Sequence, residues 1–225
     1  MISIIKRLVL VCIFIMPLIH GCAHLGDSEN AEETPSQLMK EGTRKYGKGY
    51  YSRALTSYQK LKDRYPYSKY ATKAELRIAD AHFFNGEYDE ALIVYKEFEK
   101  LHPKNKNIPY VLYQKGLCHF NQMSTIDRDH THSLRAKKEF ERLIHKFPKN
   151  KYADQSRIKI RDCYIKLAKY ELYVGNYYFK MGKFEAAINR YRYLLENYPD
   201  LGQAHDALES MRKCKEKLAY EKDNS

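Results

Sequence analysis

Two short stretches bring together residues that could do chemistry. "GTRKYGKG" (42–49) sets Gly42, Gly47 and Lys48 at the spacing of a phosphate-binding loop, in which backbone amides cradle phosphates and the lysine reaches them. Such a loop needs a strand before it and a Ser or Thr after the lysine to hold magnesium; Gly49 stands there instead. "DRDHTH" (127–132) offers Asp127, Asp129, His130 and His132, donors of the kind that ligate zinc. No second ligand cluster stands elsewhere, so the favoured expectation is helix-start chemistry, with Asp and Thr capping the helix that follows. No serine elbow, paired metal motif or Cys/His nucleophile arrangement appears. The expectation is a protein that is not an enzyme, with no cofactor and no metal, working through its surfaces.

A third reactive residue closes the N-terminal stretch "MISIIKRLVLVCIFIMPLIHGCAH", in which Lys6 and Arg7 precede an apolar run from Leu8 to Ile19 and then Gly21-Cys22. That run is too short to span a bilayer comfortably and reads as the core of a signal peptide. Ile19-His20-Gly21-Cys22 resembles the lipobox of bacterial lipoproteins. The resemblance implies a signal peptide over 1–21, cleaved before Cys22, with diacylglycerol on the Cys22 thiol. Ala23 after the cysteine resembles the outer-membrane sorting pattern of Gram-negative lipoproteins, and so implies an outer-membrane anchor facing the periplasm. Residues 22–35 carry Asp27, Glu29, Glu32 and Glu33 without Lys or Arg and read as a flexible tether. Cys118, Cys163 and Cys214 are widely spaced and odd in number, which is no disulfide framework; they read as small buried apolar residues.

The elements that must position any surface come from a repeat. "GYYSRALTSYQKLKDRYP" (49–66), "GEYDEALIVYKEFEKLHP" (86–103), "SLRAKKEFERLIHKFP" (133–148) and "GKFEAAINRYRYLLENYP" (182–199) share a small residue, an aromatic four positions later and a proline eight beyond that. The apolar spacing is helical throughout, without convincing strand alternation. Counted back from the prolines, Gly42, Ala54, Tyr58 and Pro66 fall at positions 8, 20, 24 and 32 of a 34-residue frame, as do Ala79, Ala91, Tyr95 and Pro103, and Gly175, Ala187, Tyr191 and Pro199. These residues resemble the tetratricopeptide repeat. Small residues let helices A and B approach closely, the aromatic fills the gap to the next unit and the proline stops helix B. The third unit, with Gly116 and Ala136, carries an extended A–B loop at 121–133. Residues 152–182 hold no Pro or Gly before Gly175 and read as one helix of about 45 Å, half repeat and half strut. A capping helix follows at about 203–220. The expected fold is an all-α tetratricopeptide-repeat superhelix of about four and a half helix pairs, with three units over 36–151 and the strut, fourth unit and cap over 152–225.

In that repeat family, peptides contact recurring positions on the A helices. The matching residues here include Tyr46, Arg77, Asp80, Phe83, Phe84, Tyr110, Tyr113, Gln114, Leu117 and Phe120, which together read as an aromatic groove with a few polar groups. The formal net charge of +12 suits nucleic acid, anionic lipid or an acidic protein; an outer-membrane address argues against nucleic acid.

The stretches "RYPYSKYATKAELRIADAHF" (64–83), "NKNIPYVLYQKGL" (105–117), "DRD" (127–129) before "SLRAKKEFERLIHKFPKNKY" (133–152), and "LAKYELYVGNYYFKMGKFEAAINRYRYLLENYPD" (167–200) are similar to the repeat-lipoprotein family of the outer-membrane β-barrel assembly machinery. The resemblance implies a non-catalytic subunit bound to the periplasmic domain of an Omp85-type barrel insertase, with accessory lipoproteins as further partners. Its N-terminal units would receive the aromatic-ended C-terminal strand of unfolded barrel proteins. Its last unit would dock the insertase, and the family's Asn-Arg pair falls on Asn189 and Arg190. The alternative is a scaffold lipoprotein of pilus or secretin assembly built from the same repeats.

Overall fold

The computed structural model describes residues 32–123, 130–199 and 201–224. Cys22, the signal segment, most of the tether, Asp127 and Asp129 lie outside the described residues. Among those described, every regular element is an α-helix: α1 Pro35–Gly47, α2 Tyr51–Arg64, α3 Ala71–Phe84, α4 Tyr88–Leu101, α5 Ile108–Asn121, α6 Thr131–Lys146, α7 Lys151–Lys180, α8 Phe184–Asn197 and α9 Ala204–Asp223. Each packs chiefly on its neighbours in sequence. Helices α1/α2, α3/α4, α5/α6 and the second half of α7 with α8 form four pairs, and α9 covers the last.

One contact explains each pair. The ring of Tyr58, Tyr95, Phe140 or Tyr191 on helix B is fully buried and is set against the small residue of helix A. A Cβ on Gly42 would stand 2.5 Å from Tyr58 Cε1, one on Gly116 2.3 Å from Phe140 Cε1, and one on Gly175 2.4 Å from Tyr191 Cε1. Glycine is therefore required by close approach at these places. The tyrosine hydroxyls reach back to the next residue of helix A. Tyr95 donates to Asp80 Oδ1 at 2.7 Å, Tyr191 to Asn176 Oδ1 at 2.8 Å and Tyr58 to Thr43 Oγ1 at 3.4 Å. Where the ring is Phe140 and needs no partner, that place holds Leu117. Ring and polar partner are thus matched pair by pair.

The turns repeat as well. In three of the four pairs helix A ends and a glycine at positive φ reverses the chain, at Gly49 (φ 76), Gly86 (φ 82) and Gly182 (φ 71), a backbone region that costs glycine little. Helix B ends at Tyr65, His102, Phe147 or Tyr198, whose amide donates to the carbonyl four residues back. Proline follows in every case and prevents continuation. Helix α7 has thirty residues, about 45 Å. It is shared by two cores: Ala153 and Cys163 pack with the third pair, Leu167 and Ala168 with α8 and α9. An ion cluster fastens α4, α5 and α6. Lys115, with a side chain only 4% exposed, lies 3.0 Å from Glu99 and 3.1 Å from Glu139, and Arg142 bonds both acids. Burial pushes the Glu99 carboxyl up, and Lys115 and Arg142 more than offset it, leaving it below the usual range.

Two sequence expectations meet local detail here. Gly42 lies inside α1 beneath Tyr58, and Lys48 is its C-cap, so 42–49 has no phosphate-loop geometry. Helix α6 begins at Thr131 with His130 as N-cap, whose side chain makes no capping bond; the aspartates expected to cap it, Asp127 and Asp129, lie outside the described residues. No group of three or more metal-ligating side chains occurs among the described residues. The three remaining cysteines are buried and free; burial pushes the Cys118 and Cys163 thiols up to about 12.

Replacing Gly116 by Ala forces Phe140 to move inside a filled core and should cost roughly 1–3 kcal/mol, read as a lower urea midpoint with unchanged helical content at low denaturant. A second test concerns His119, 6% exposed. Burial, helped by His132 and Arg135, pushes its imidazole down to about 4. The unfolded chain takes up this proton near its ordinary value of about 6.5, so stability present above that pH is lost as pH falls toward 4. Between pH 7.5 and pH 5 the parent should lose roughly 1–2 kcal/mol more than His119→Gln. Equal losses in both proteins would refute the buried neutral histidine.

Candidate binding surface

Asp80 anchors the exposed face of the A helices from within. It is 0% exposed; Oδ1 accepts from the Tyr95 and Tyr110 hydroxyls at 2.7 and 2.8 Å, and Oδ2 accepts from Arg77 Nη1 at 2.8 Å. Gln114 Nε2 donates to the Tyr110 hydroxyl at 2.6 Å, and the Arg77 guanidinium lies 5.5 Å over the Tyr46 ring. Tyr46, Arg77, Asp80, Tyr110 and Gln114 thus form one line of contacts across α1, α3 and α5. Burial pushes the Asp80 carboxyl up, and the two phenols and Arg77 pull it back only in part. Burial and the Asp80 charge push the Tyr110 phenol far up, so it stays a donor.

The other groove residues of the sequence reading sit elsewhere. Phe83 is buried, edge-on to Phe84 and Tyr88. Tyr113 stacks on Tyr152 with centroids 5.3 Å apart, and Phe120 lies 6.4 Å from Phe140 under Lys159 Nζ at 4.1 Å. Phe84 is exposed and forms, with Tyr46 and Tyr51, a small aromatic patch at the far end of α1 and α3. Leu117 packs against the third pair.

Beside the Asp80 line, an open cleft of about 790 Å³ lies at the N-terminal ends of α3, α5 and α7. Leu76, Pro109, Tyr110 and Tyr152 give it apolar surface, and Lys69, Lys73, Arg77, Lys106 and Lys151 give it positive charge. Apart from Arg77, Asp80 and Tyr110, these were outside the sequence reading. A signal for three of them was present: lysine stands three residues after Pro66, Pro103 and Pro148. In each of those turns the side chain before the lysine accepts from the backbone amide two residues on, and at Asn150 that bond caps the next helix. Ser68 Oγ accepts from the Tyr70 amide at 3.3 Å, Asn105 Oδ1 from Asn107 at 2.9 Å and Asn150 Oδ1 from Tyr152 at 3.0 Å.

At the other end of the chain, Asn189 is exposed on α8 and accepts from Arg192 Nη1 at 3.2 Å. Arg190 is held by Glu171 of α7, Nη1 to Oε2 3.2 Å, with side chains 43% and 9% exposed respectively. Glu171 was not singled out from sequence; only the folded long helix brings it beneath α8. The pair leaves part of a planar donor fork facing solvent, a geometry suited to a partner carboxylate.

The chain matches the family model YfiO, described as outer membrane lipoprotein, over residues 31–225. A Rickettsia prowazekii protein named outer membrane protein assembly factor BamD is 30% identical over 188 residues, covering 84% of this chain and 75% of its own length. The proteins of that name from Neisseria gonorrhoeae and Vibrio cholerae are 28% and 26% identical over 196 and 204 residues, covering 83% and 86% of this chain and 72% and 84% of their own lengths.

Removing the Asp80 carboxylate leaves the Tyr95 hydroxyl and Arg77 without their buried acceptor. Asp80→Ala should therefore destabilise the fold by about 3 kcal/mol, more than Tyr95→Phe, which removes donor and demand together. Equal costs for the two substitutions would show that the network is not organised around Asp80.

Proposed function

Because the chain belongs to the YfiO family of outer membrane lipoproteins, we propose that it is a non-catalytic assembly factor for outer membrane β-barrel proteins, anchored through acylated Cys22 and facing the periplasm. The observation that carries the reading is the match to relatives of that name across most of both chains. The fold supplies a physical basis. Three N-terminal pairs offer a rigid face suited to an extended segment of an unfolded client, held along the Asp80 line and the cleft beside it. The C-terminal pair offers Asn189 and Arg190 to the periplasmic domain of an Omp85-type insertase, with accessory lipoproteins free to use the remaining surface. Helix α7 fixes the two ends at a set separation, so a client held at one end stays within reach of a machine docked at the other.

Affinity purification of the mature lipoprotein from detergent-solubilised membranes tests the reading. An Omp85-type barrel should be recovered. Arg190→Gln, which keeps a neutral neighbour for Glu171, should lower that recovery about tenfold with helical content unchanged. A charge-reversed residue would be a poorer probe, since it would face the buried Glu171 and strain α7 against α8. Recovery of a secretin or pilus component in place of the barrel would overturn the assignment to barrel assembly.

A further inference from the structure

The turn that joins each B helix to the next A helix repeats more than packing requires. Proline follows the helix end, a serine or asparagine oxygen accepts from the backbone amide two residues on, and a lysine stands between the two bonded residues: Lys69, Lys106 and Lys151. All three border the same cleft. After Pro199 the corresponding place is Gly202, so the row ends with the third pair. Lysine contributes nothing to that turn bond, which uses the serine or asparagine oxygen, and its side chain is exposed at each of the three places.

The lining of the cleft is one-sided in its charge. Lys69, Lys106, Lys151 and Lys73 form no ion pair among the described residues, although Lys69 and Lys151 lie 5.3 and 5.0 Å over the rings of Tyr70 and Tyr152. Asn105 and Asn150 each accept one bond from a backbone amide on the side-chain carbonyl, leaving the NH₂ donors free for a ligand. Among the described residues Asp80 is the one acid bordering the cleft, and both of its oxygens already accept bonds. The Tyr110 hydroxyl is likewise occupied on both sides. Thr72 and Asn107 can both donate and accept, and the charges of this lining left without an ion-pair partner are all positive. The positive ends of α3, α5 and α7 point the same way.

We propose that this cleft receives an acidic, extended polypeptide segment, with its carboxylates taken by the ladder of Lys69, Lys106 and Lys151. The inference rests on the reading that the N-terminal pairs hold an extended client segment, and it adds the chemistry by which the segment is selected. Spacing favours a polypeptide over a compact anion. The three lysines sit at the starts of α3, α5 and α7, successive A helices that border one cleft, on the order of 10 Å apart. Three residues of extended chain cover about 10 Å, so acids at every third position meet successive lysines, whereas one phosphate reaches one or two. Leu76, Pro109 and the ring of Tyr152 give the intervening side chains an apolar floor.

The test uses the mature chain and two fluorescent ten-residue peptides, identical except that one carries Glu at every third position and the other Gln. The acidic peptide should bind at least about tenfold more tightly in anisotropy titrations, and the difference should shrink as salt is raised from 50 to 500 mM. The triple variant Lys69→Gln, Lys106→Gln, Lys151→Gln changes exposed side chains only. It should keep its helical content and bind the two peptides alike. Equal affinity of both peptides for the parent would overturn the ladder while leaving the client face standing; binding of neither would overturn the ladder and count against the client face too. Competition by inorganic phosphate or phosphatidylglycerol vesicles, stronger than by the acidic peptide and lost in the triple variant, would reassign the cleft to phosphate and also overturn the proposal.

Discussion

The fold depends on one contact made four times: an aromatic ring of helix B laid against a glycine or alanine of helix A. Without a Cβ at Gly42, Gly116 or Gly175, or with only a methyl at Ala79, the two helices of a pair approach until the ring covers the backbone of its neighbour. The ring fills the volume that a larger side chain would otherwise occupy, and dense packing turns this exchange into a geometric constraint. Each pair is then a wedge of fixed shape, and stacking such wedges fixes where each A helix starts. Every surface considered above, the cleft and the Arg190 site alike, takes its position from that contact.

The same contact explains why a charged residue can sit at the centre of the second pair. A buried tyrosine needs a partner for its hydroxyl, and three pairs answer with Thr43, Asp80 and Asn176. Asp80 goes further than the need. A neutral acceptor would satisfy Tyr95, as Asn176 satisfies Tyr191. The carboxylate additionally draws in Tyr110 and Arg77, tying α3 to α5 and fixing a guanidinium over Tyr46. Burial makes that charge costly, and three donors offset the cost only in part, so it stands as an expenditure beyond packing.

The fold was legible in the sequence because its governing contact leaves a periodic trace: small residue, ring and proline recur at fixed spacing. Helix α7 was legible for the opposite reason, since its first half lacks the Gly and Pro that punctuate the rest. The site was legible only in part. Position in the repeat identified the A-helix face but could not separate a side chain that faces outward from one, such as Phe83 or Gln114, that is buried. Glu171 beneath Arg190 was invisible because it depends on how α7 and α8 cross, nineteen residues apart along the chain. The lysines after Pro66, Pro103 and Pro148 were written plainly. They lie in turns, however, where composition is usually read as punctuation, and the cleft they border exists only once three turns are stacked.

Helix α7 gives these separate features a common logic. Two folded bodies joined by a flexible linker sample many separations, and the local concentration of one near the other falls as the linker lengthens. A continuous helix buried at both ends removes that freedom. Ala153 and Cys163 belong to one core, and Leu167 and Ala168 to the next, so bending the helix between them would disturb packing on both sides. Glu171 lies just within the second core and holds Arg190 against α7 itself rather than against a surface loop. Under the proposed function, the docking arginine and the client cleft are therefore referenced to one rigid axis. Their relative placement is set by the fold before any partner arrives, which spares binding the entropic cost of ordering a linker.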